Sequence, residues 1–558
     1  IIEHAEFGRN VPDEAMPDED KMNLGKIYHM GKSESADLIL NRQAMASHTF
    51  ITGSTGTGKS NAVYHLLDEI TKNGQTTFLV VEPAKGEYKN VFGNCTDAQV
   101  FGTNPRETPL LRMNPFAFPE NIHILEHIDR LVEIFNACWP MYAAMPAVLK
   151  DAIERSYQKV GWDLRNSESE KGIFPTFFDL LDILPGVIEE SHYSKDTQSD
   201  YVGALCTRVK SLTNGIYGSV LCAEDALSDA EMFDQNVIVD LSRVGSMETK
   251  SLLMGILVMK LQEYRMCSSG MNSRLRHVTV LEEAHNLLRK TSAEQSQEGA
   301  NLQGKSVEML ANAIAEMRTY GEGFIIADQA PGLLDMSVIR NTNTKIILRL
   351  PDEEDRKLVG KSAALKEAQI DELSKLPLGV AAVYQNEWPE AVLCKIEAYP
   401  MPENAVYHKP SKMPHEINAE FVFGQLAVGK ELKPLSSSEM EQLKLWLKRH
   451  ETVLKPEDSR YLERVFAGGE LDVAKTRKAV FDFFGGIGTV VDYCAAAKKS
   501  LTPRKEFLEQ LQGQYGLKAA AADWVLNSVI SMGMSLNPDA KAVDNLRTNF
   551  EQQGGRVL

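Results

Sequence analysis

Residues Gly53-Ser54-Thr55-Gly56-Thr57-Gly58-Lys59-Ser60 satisfy the pattern G-x-x-x-x-G-K-[ST] at every fixed position. Glycines at these places let successive backbone N–H groups turn inward around phosphate oxygens. The lysine of such a loop reaches the β- and γ-phosphates, and the hydroxyl after it ligates Mg²⁺. The geometry requires a strand before the loop and a helix after it, whose positive end then faces the anion. Both flanks comply. His48-Thr49-Phe50-Ile51-Thr52 is β-rich, and Ser60–Lys72 reads as a helix closed by Asn73-Gly74. The expected nucleotide contacts are therefore Gly53, Ser54, Thr55, Gly56, Thr57, Gly58, Lys59, Ser60 and the adjoining Asn61, with ATP and Mg²⁺ as cofactors.

Further strands are predicted at Thr76–Val81, Asn236–Leu241, His277–Leu281, Gly323–Ala327 and Lys345–Leu350, with helical patterns between them. Such alternation implies an α/β fold with a parallel sheet covered on both faces. The strand at His277 ends in Glu282-Glu283-Ala284-His285. Two acids at the end of a buried strand divide the work: Glu282 is expected in the Mg²⁺ shell and Glu283 at the attacking water. The strand at Gly323 ends in Asp328-Gln329, where the Gln329 amide is placed to sense the γ-phosphate. Arg318 lies eleven residues before Gln329, on the preceding helix. It either stays in its own subunit or reaches a neighbour's phosphate as an arginine finger.

A chain of 558 residues exceeds what one core holds, so more than one domain is expected. Residues 1–45, with acidic Asp13-Glu14 and Asp18-Glu19-Asp20, read as a solvated lead-in. The ATPase domain is placed at 46–400, with a helical insertion at about 110–235 and a closing hairpin at Leu378–Gln385 and Ala391–Glu397. Within the insertion, Leu125, Ile128, Leu131, Val132 and Phe135 mark an amphipathic helix, and 166–172 a charged loop. A proline-dense linker at 401–435 leads to an all-α C-terminal domain at 436–558, opened by a Ser436/Glu439 capping box. The seven cysteines are scattered without a CxxC pair, which argues against zinc and for a cytoplasmic protein. No apolar run approaches the ~20 residues of a membrane helix. A net charge of −17 opposes a surface that coats nucleic acid, but is compatible with a ring whose narrow pore is locally basic. The chain opens Ile1-Ile2-Glu3-His4, so its start is expected to lie upstream.

Together these motifs resemble the HerA branch of the HerA/FtsK superfamily, a RecA-like P-loop group. The resemblance rests on Gly53–Val63, on Glu82 followed by Gly86-Glu87-Tyr88, on Glu282-Glu283-Ala284-His285 and on Met317-Arg318-Thr319-Tyr320-Gly321. Asn341–Arg349 and Gly379–Pro400 fit the end of such domains, so the likeness covers about 25–400. It implies a homohexameric ring that translocates double-stranded DNA, with ATP at subunit interfaces and Arg318 acting in trans. It also implies a nuclease or other effector as partner, in end resection or anti-phage defence. Type IV secretion ATPases share this core, and an ATP-gated scaffold that controls an effector is the alternative of another class. The family's preceding β-barrel has no room in the residues before Gly53, and Glu282 stands where related motors often carry Asp. The tail from about 436 to 558 lies outside this resemblance.

DNA-contacting loops are expected at Arg289–Lys305 and, secondarily, at Lys85 and Lys89. In the tail, Trp446, Leu447, Val453, Tyr461, Leu462 and Val465 are candidate core positions. Gly485-Gly486 lacks the lysine and strand of a phosphate loop and reads as a joint between helices. Phe481, Phe483 and Phe484, if exposed, would form a partner-docking face.

Overall fold

The computed structural model describes residues 4–558 apart from 14, 96, 143, 170–171, 224, 292–301, 402–404, 410–416, 429–431, 433 and 436. The described strands, in chain order, are β1 (Lys21–His29), β2 (Lys32–Asn41), β3 (Thr49–Thr52), β4 (Thr77–Glu82), β5 (Ala98–Gly102), β6 (Trp162–Asp163), β7 (Glu168–Ser169), β8 (Asn236–Asp240), β9 (His277–Glu282), β10 (Glu322–Asp328), β11 (Thr344–Ile347), β12 (Val380–Gln385) and β13 (Val392–Ile396). All but β6 and β7 join one sheet in the order β2-β1-β13-β12-β11-β3-β10-β9-β4-β8-β5. From β11 to β5 the strands run parallel, and the remaining four extend the sheet antiparallel.

The central strands are apolar at nearly every position because both faces of the sheet are covered. Phe50, Leu79, Val81, Phe324 and Ile326 face one side and share a core with the insertion and the helix Met247–Ser268. Their neighbours Ile51, Phe78, Val80, Ile325 and Ala327 face the other side, where they pack with the helix Lys59–Thr71, α1. In the insertion, α3 (Ile124–Cys138) buries Ile128, Leu131, Val132 and Phe135. Leu125, at its first turn, is exposed. The predicted loop at 166–172 contains β7, which pairs with β6 in a minimal hairpin.

The lead-in reading of 1–45 is corrected. β1 and β2 form a hairpin that hydrogen-bonds to β13 and widens the main sheet. Its pattern is hard to read because the register shifts between Asn23 and Gly25, which breaks the two-residue alternation of Met22, Leu24 and Ile27. The acidic cluster is not wholly solvated either: Asp20 is buried and accepts hydrogen bonds from Gln43 and Arg274.

Helices from Ala419–Val428 to Ala540–Gln552 share a third core, so the expected linker at 401–435 is corrected: its second half folds with the C-terminal helices through Phe421, Val422 and Phe423. Trp446, Leu447, Tyr461, Leu462 and Val465 are buried in it, with Val453 partly buried. Phe481, Phe483 and Phe484 are buried there too, Phe483 stacking on Trp446, so the docking-face expectation is corrected. Gly485 and Gly486, both at positive φ, turn the chain by 69° between two helices, as a joint requires. Ser436, half of the expected capping box, and Pro402, Pro410 and Pro414 of the linker lie outside the described residues. No single described helix is long and apolar enough to cross a membrane.

Candidate active site

The parallel register of β3, β10 and β9 decides what meets the glycine-rich loop. Thr52 is level with Asp328, and Ala327 with Glu282, so the ends of these strands converge beside residues 53–60. The loop itself is braced from below. Ser54 N donates to Arg349 O at 3.0 Å, Thr57 Oγ1 to Ser54 O at 2.7 Å and Gly379 N to Thr57 O at 3.0 Å. A side chain at Gly53 would run into Thr57 Oγ1 and Leu348, and Gly58 adopts φ +103 against Gly379. Above the loop is a cavity of about 310 Å³ lined by Ser54, Thr55, Gly56, Gly58, Lys59, Ser60 and Asn61, with Lys85, Gln329 and Leu378 at its sides.

Lys59, at the start of α1, is buried, with Nζ 3.0 Å from Glu283 Oε1 and 3.5 Å from Glu282 Oε2. Gln329 joins the same cluster: Nε2 donates to Glu283 Oε1 at 2.6 Å, and Thr55 Oγ1 donates to Gln329 Oε1 at 2.7 Å. A single amide thus links the loop to the second acid. Glu283 holds a left-handed backbone, φ +45, a conformation costly for a residue with a Cβ. Its turn is tied down by Asp328, whose Oδ2 accepts both His285 N at 2.8 Å and His285 Nδ1 at 2.9 Å. The Asp328 hydrogen bond raises the His285 pKa above the ordinary imidazole value, against a smaller opposing effect of burial. Burial raises the Glu282 carboxyl pKa, with the Lys59 charge opposing it. Glu82, at the end of β4, is pushed to about 7, chiefly by burial.

Ser60 and Glu282 line one narrow cleft with Lys59 and Glu82, contiguous with the phosphate loop. A hydroxyl and a carboxylate beside phosphate oxygens form the hard oxygen-donor set that Mg²⁺ takes. The residues present fit that ion.

The remaining expected residues are placed less directly. The Asn61 side chain faces the closing segment: Nδ2 donates to Glu397 O at 3.0 Å, and Oδ1 accepts from Tyr399 N at 2.8 Å. Asn61 still lines the cavity above the loop, so these two bonds anchor it at the edge of the expected nucleotide site. Arg318 is exposed on the turn Met317–Tyr320, at the start of β10, whereas the phosphate loop meets the end of that strand. Seven strand residues put roughly 20 Å between the two ends. Lys89, a candidate DNA contact, is bound to Asp240 at 2.5 Å and to Glu107 at 3.2 Å. Arg289 and Lys290 are exposed, while 292–301 of the same candidate segment lie outside the described residues. Asp328, which no sequence expectation singles out, adjoins Gln329 at the same strand end.

The sequence profile of the central domain of the HerA helicase matches residues 22–336, more than half of the chain. The chain belongs to this family. With its loop and paired acids it is a P-loop ATPase of the HerA/FtsK type. Among curated relatives, the "Probable helicase MJECL08" of Methanocaldococcus jannaschii is 23% identical over 71% of this chain and 76% of its own length. The DNA double-strand break repair helicase HerA of Sulfolobus acidocaldarius is 25% identical over 68% and 69%. Among solved structures, VirB4 of Thermoanaerobacter pseudethanolicus shares the fold, with a TM-score of 0.51 and 18% identity over 69% of this chain and 98% of that one.

Proposed function

We propose that the chain hydrolyses ATP to move double-stranded DNA, as one subunit of a ring of six copies. The observation that carries this reading is the Thr55–Gln329–Glu283 linkage, which couples the phosphate loop to the water-polarising acid. In the proposed cycle Lys59 leaves its two carboxylates for the β- and γ-phosphates. Ser60 and Glu282 would hold Mg²⁺, which would supply charge neutralisation at the phosphate oxygens. Glu283 orients the attacking water and draws its proton. Gln329 then reads the loss of the γ-phosphate through its bond to Thr55.

Arg318 lies at the far end of β10 from its own nucleotide site. In a ring that position suits it to the neighbour's phosphate, where it stabilises the transition state in trans. The DNA substrate is proposed from the named activity of the Sulfolobus relative. A nuclease or other effector working beside the ring, in DNA processing or anti-phage defence, belongs to the same reading.

The test is steady-state ATPase with and without linear double-stranded DNA, alongside sedimentation of the nucleotide-bound protein. Stimulation by DNA in a hexamer, lost in both Glu283→Gln and Arg318→Ala, is the expected result. Turnover indifferent to DNA overturns the translocase reading and leaves a secretion-type motor or an ATP-gated scaffold.

A further inference from the structure

Four neighbouring strands end in an acid at the edge that faces the phosphate loop: β8 in Asp240, β4 in Glu82, β9 in Glu282 and β10 in Asp328. Like charges so close repel unless each has a dedicated partner. For three of them the partner comes from one short segment, Gly86-Glu87-Tyr88-Lys89, which enters the helix Tyr88–Phe92, α2. The Glu82 oxygens accept Glu87 N at 2.8 Å and Tyr88 N at 3.1 Å. The Tyr88 hydroxyl donates to Glu282 Oε1 at 2.5 Å, and Lys89 Nζ donates to Asp240 Oδ2 at the same distance.

The segment is fixed in place. Gly86 holds φ +68, where an added Cβ would meet Ser242 Oγ and the Asp240 carboxylate. Tyr88 is buried, and its ring sits edge-on to Tyr64 of α1 at 5.0 Å. The hydroxyl that reaches Glu282 therefore has little freedom to turn away.

We infer that the 86–89 turn is a three-point clamp whose purpose is to position the metal-shell carboxylate, with Tyr88 as the positioning residue for Glu282. Tyr88 occupies Oε1 and leaves Oε2, the oxygen nearer Lys59, to the Mg²⁺ shell. When Lys59 moves to the phosphates, Tyr88 keeps Glu282 from swinging with it or toward Glu82. The inference rests on the assignment of Glu282 to the metal shell. Outer-shell partners of this kind typically contribute 10- to 100-fold to metal affinity.

The experiment measures binding of a fluorescent ADP analogue to the full chain, in Mg²⁺ and in EDTA, for wild type, Tyr88→Phe and Glu282→Gln. Tyr88→Phe is expected to lose about tenfold or more of the Mg²⁺-dependent tightening while its affinity in EDTA is unchanged. A general packing defect would weaken both. Glu282→Gln is expected to lose at least as much. If Glu282→Gln loses the Mg²⁺ effect and Tyr88→Phe retains it, the clamp is overturned. If neither variant changes it, the metal assignment of Glu282 falls, and the clamp with it. Should Tyr88→Phe fail to fold, Lys89→Met carries the test by releasing the Asp240 anchor: a smaller loss of the same Mg²⁺ effect supports the clamp, and no loss overturns it.

Discussion

Lys59 Nζ lies 3.0 Å from Glu283 Oε1, so the cation proposed to bind phosphate is already paired with the acid proposed to activate water. A phosphate that recruits Lys59 has to compete with that carboxylate. Glu283→Gln removes the charge while keeping the shape. We expect nucleotide to bind several-fold tighter, from about 1 kcal/mol of released competition. Turnover should fall by roughly 10²–10⁴, the usual contribution of a general base. Titration with labelled ADP and a phosphate-release assay check the two halves separately.

Arg318 makes a sharper case because it is exposed and remote from its own site. Arg318→Ala should leave the melting temperature nearly unchanged, within about 0.5 kcal/mol of stability. It should abolish hydrolysis where subunits complete one another's sites. Mixing Arg318→Ala with Glu283→Gln subunits, each inactive alone, should then restore part of the activity, and no restoration would overturn the role in trans.

The His285–Asp328 pair sets a pH dependence whose sign can be worked out. The folded pKa of His285 is raised above 6.5, mainly by its bond to Asp328. The stabilisation is thus fully present below 6.5 and is lost as pH rises through the raised folded value. In urea unfolding, wild type should exceed His285→Gln in stability most at mildly acidic pH, and the gap should close as the solution becomes alkaline. A gap that widens with pH contradicts this assignment.

Away from the site, Arg265 and Glu322 are both fully buried, with Arg265 Nε 2.9 Å from Glu322 Oε2. His277 Nδ1 lies 2.7 Å from the other oxygen, and Arg265 Nη1 reaches Asp234 at 2.7 Å. Removing one member strands a charge where water cannot reach it. Arg265→Met should cost about 3–5 kcal/mol by chemical denaturation, far more than a surface ion pair. The loss should exceed that of Lys357→Met, which breaks only an exposed pair with Glu353.

Much of the catalytic cluster was legible in one dimension, because each motif couples residue type to a local backbone form. Gly53–Ser60 needs a strand before it and a helix after it. Glu282-Glu283 needs a buried strand that ends at a polar edge. Apolar runs and glycine breaks report both conditions. The hairpin β1–β2 escaped because a bulge at Asn23–Gly25 spoils the alternation by which half-buried strands are recognised. Phe481, Phe483 and Phe484 were ambiguous because composition does not say which way a helix faces.

The sequence by itself determined the groups available for chemistry: the phosphate loop, the paired acids, the amide proposed as sensor and the alternation that makes a parallel sheet. The tertiary structure alone decided which of these groups touch. Parallel register set Asp328 level with Thr52 and brought Gln329 between Thr55 and Glu283. It turned Asn61 toward Glu397 and set Arg318 at the opposite end of β10. Contacts between residues two hundred positions apart depend on strand order and register. Those are fixed by packing the whole sheet at once, and no local run of residues records them.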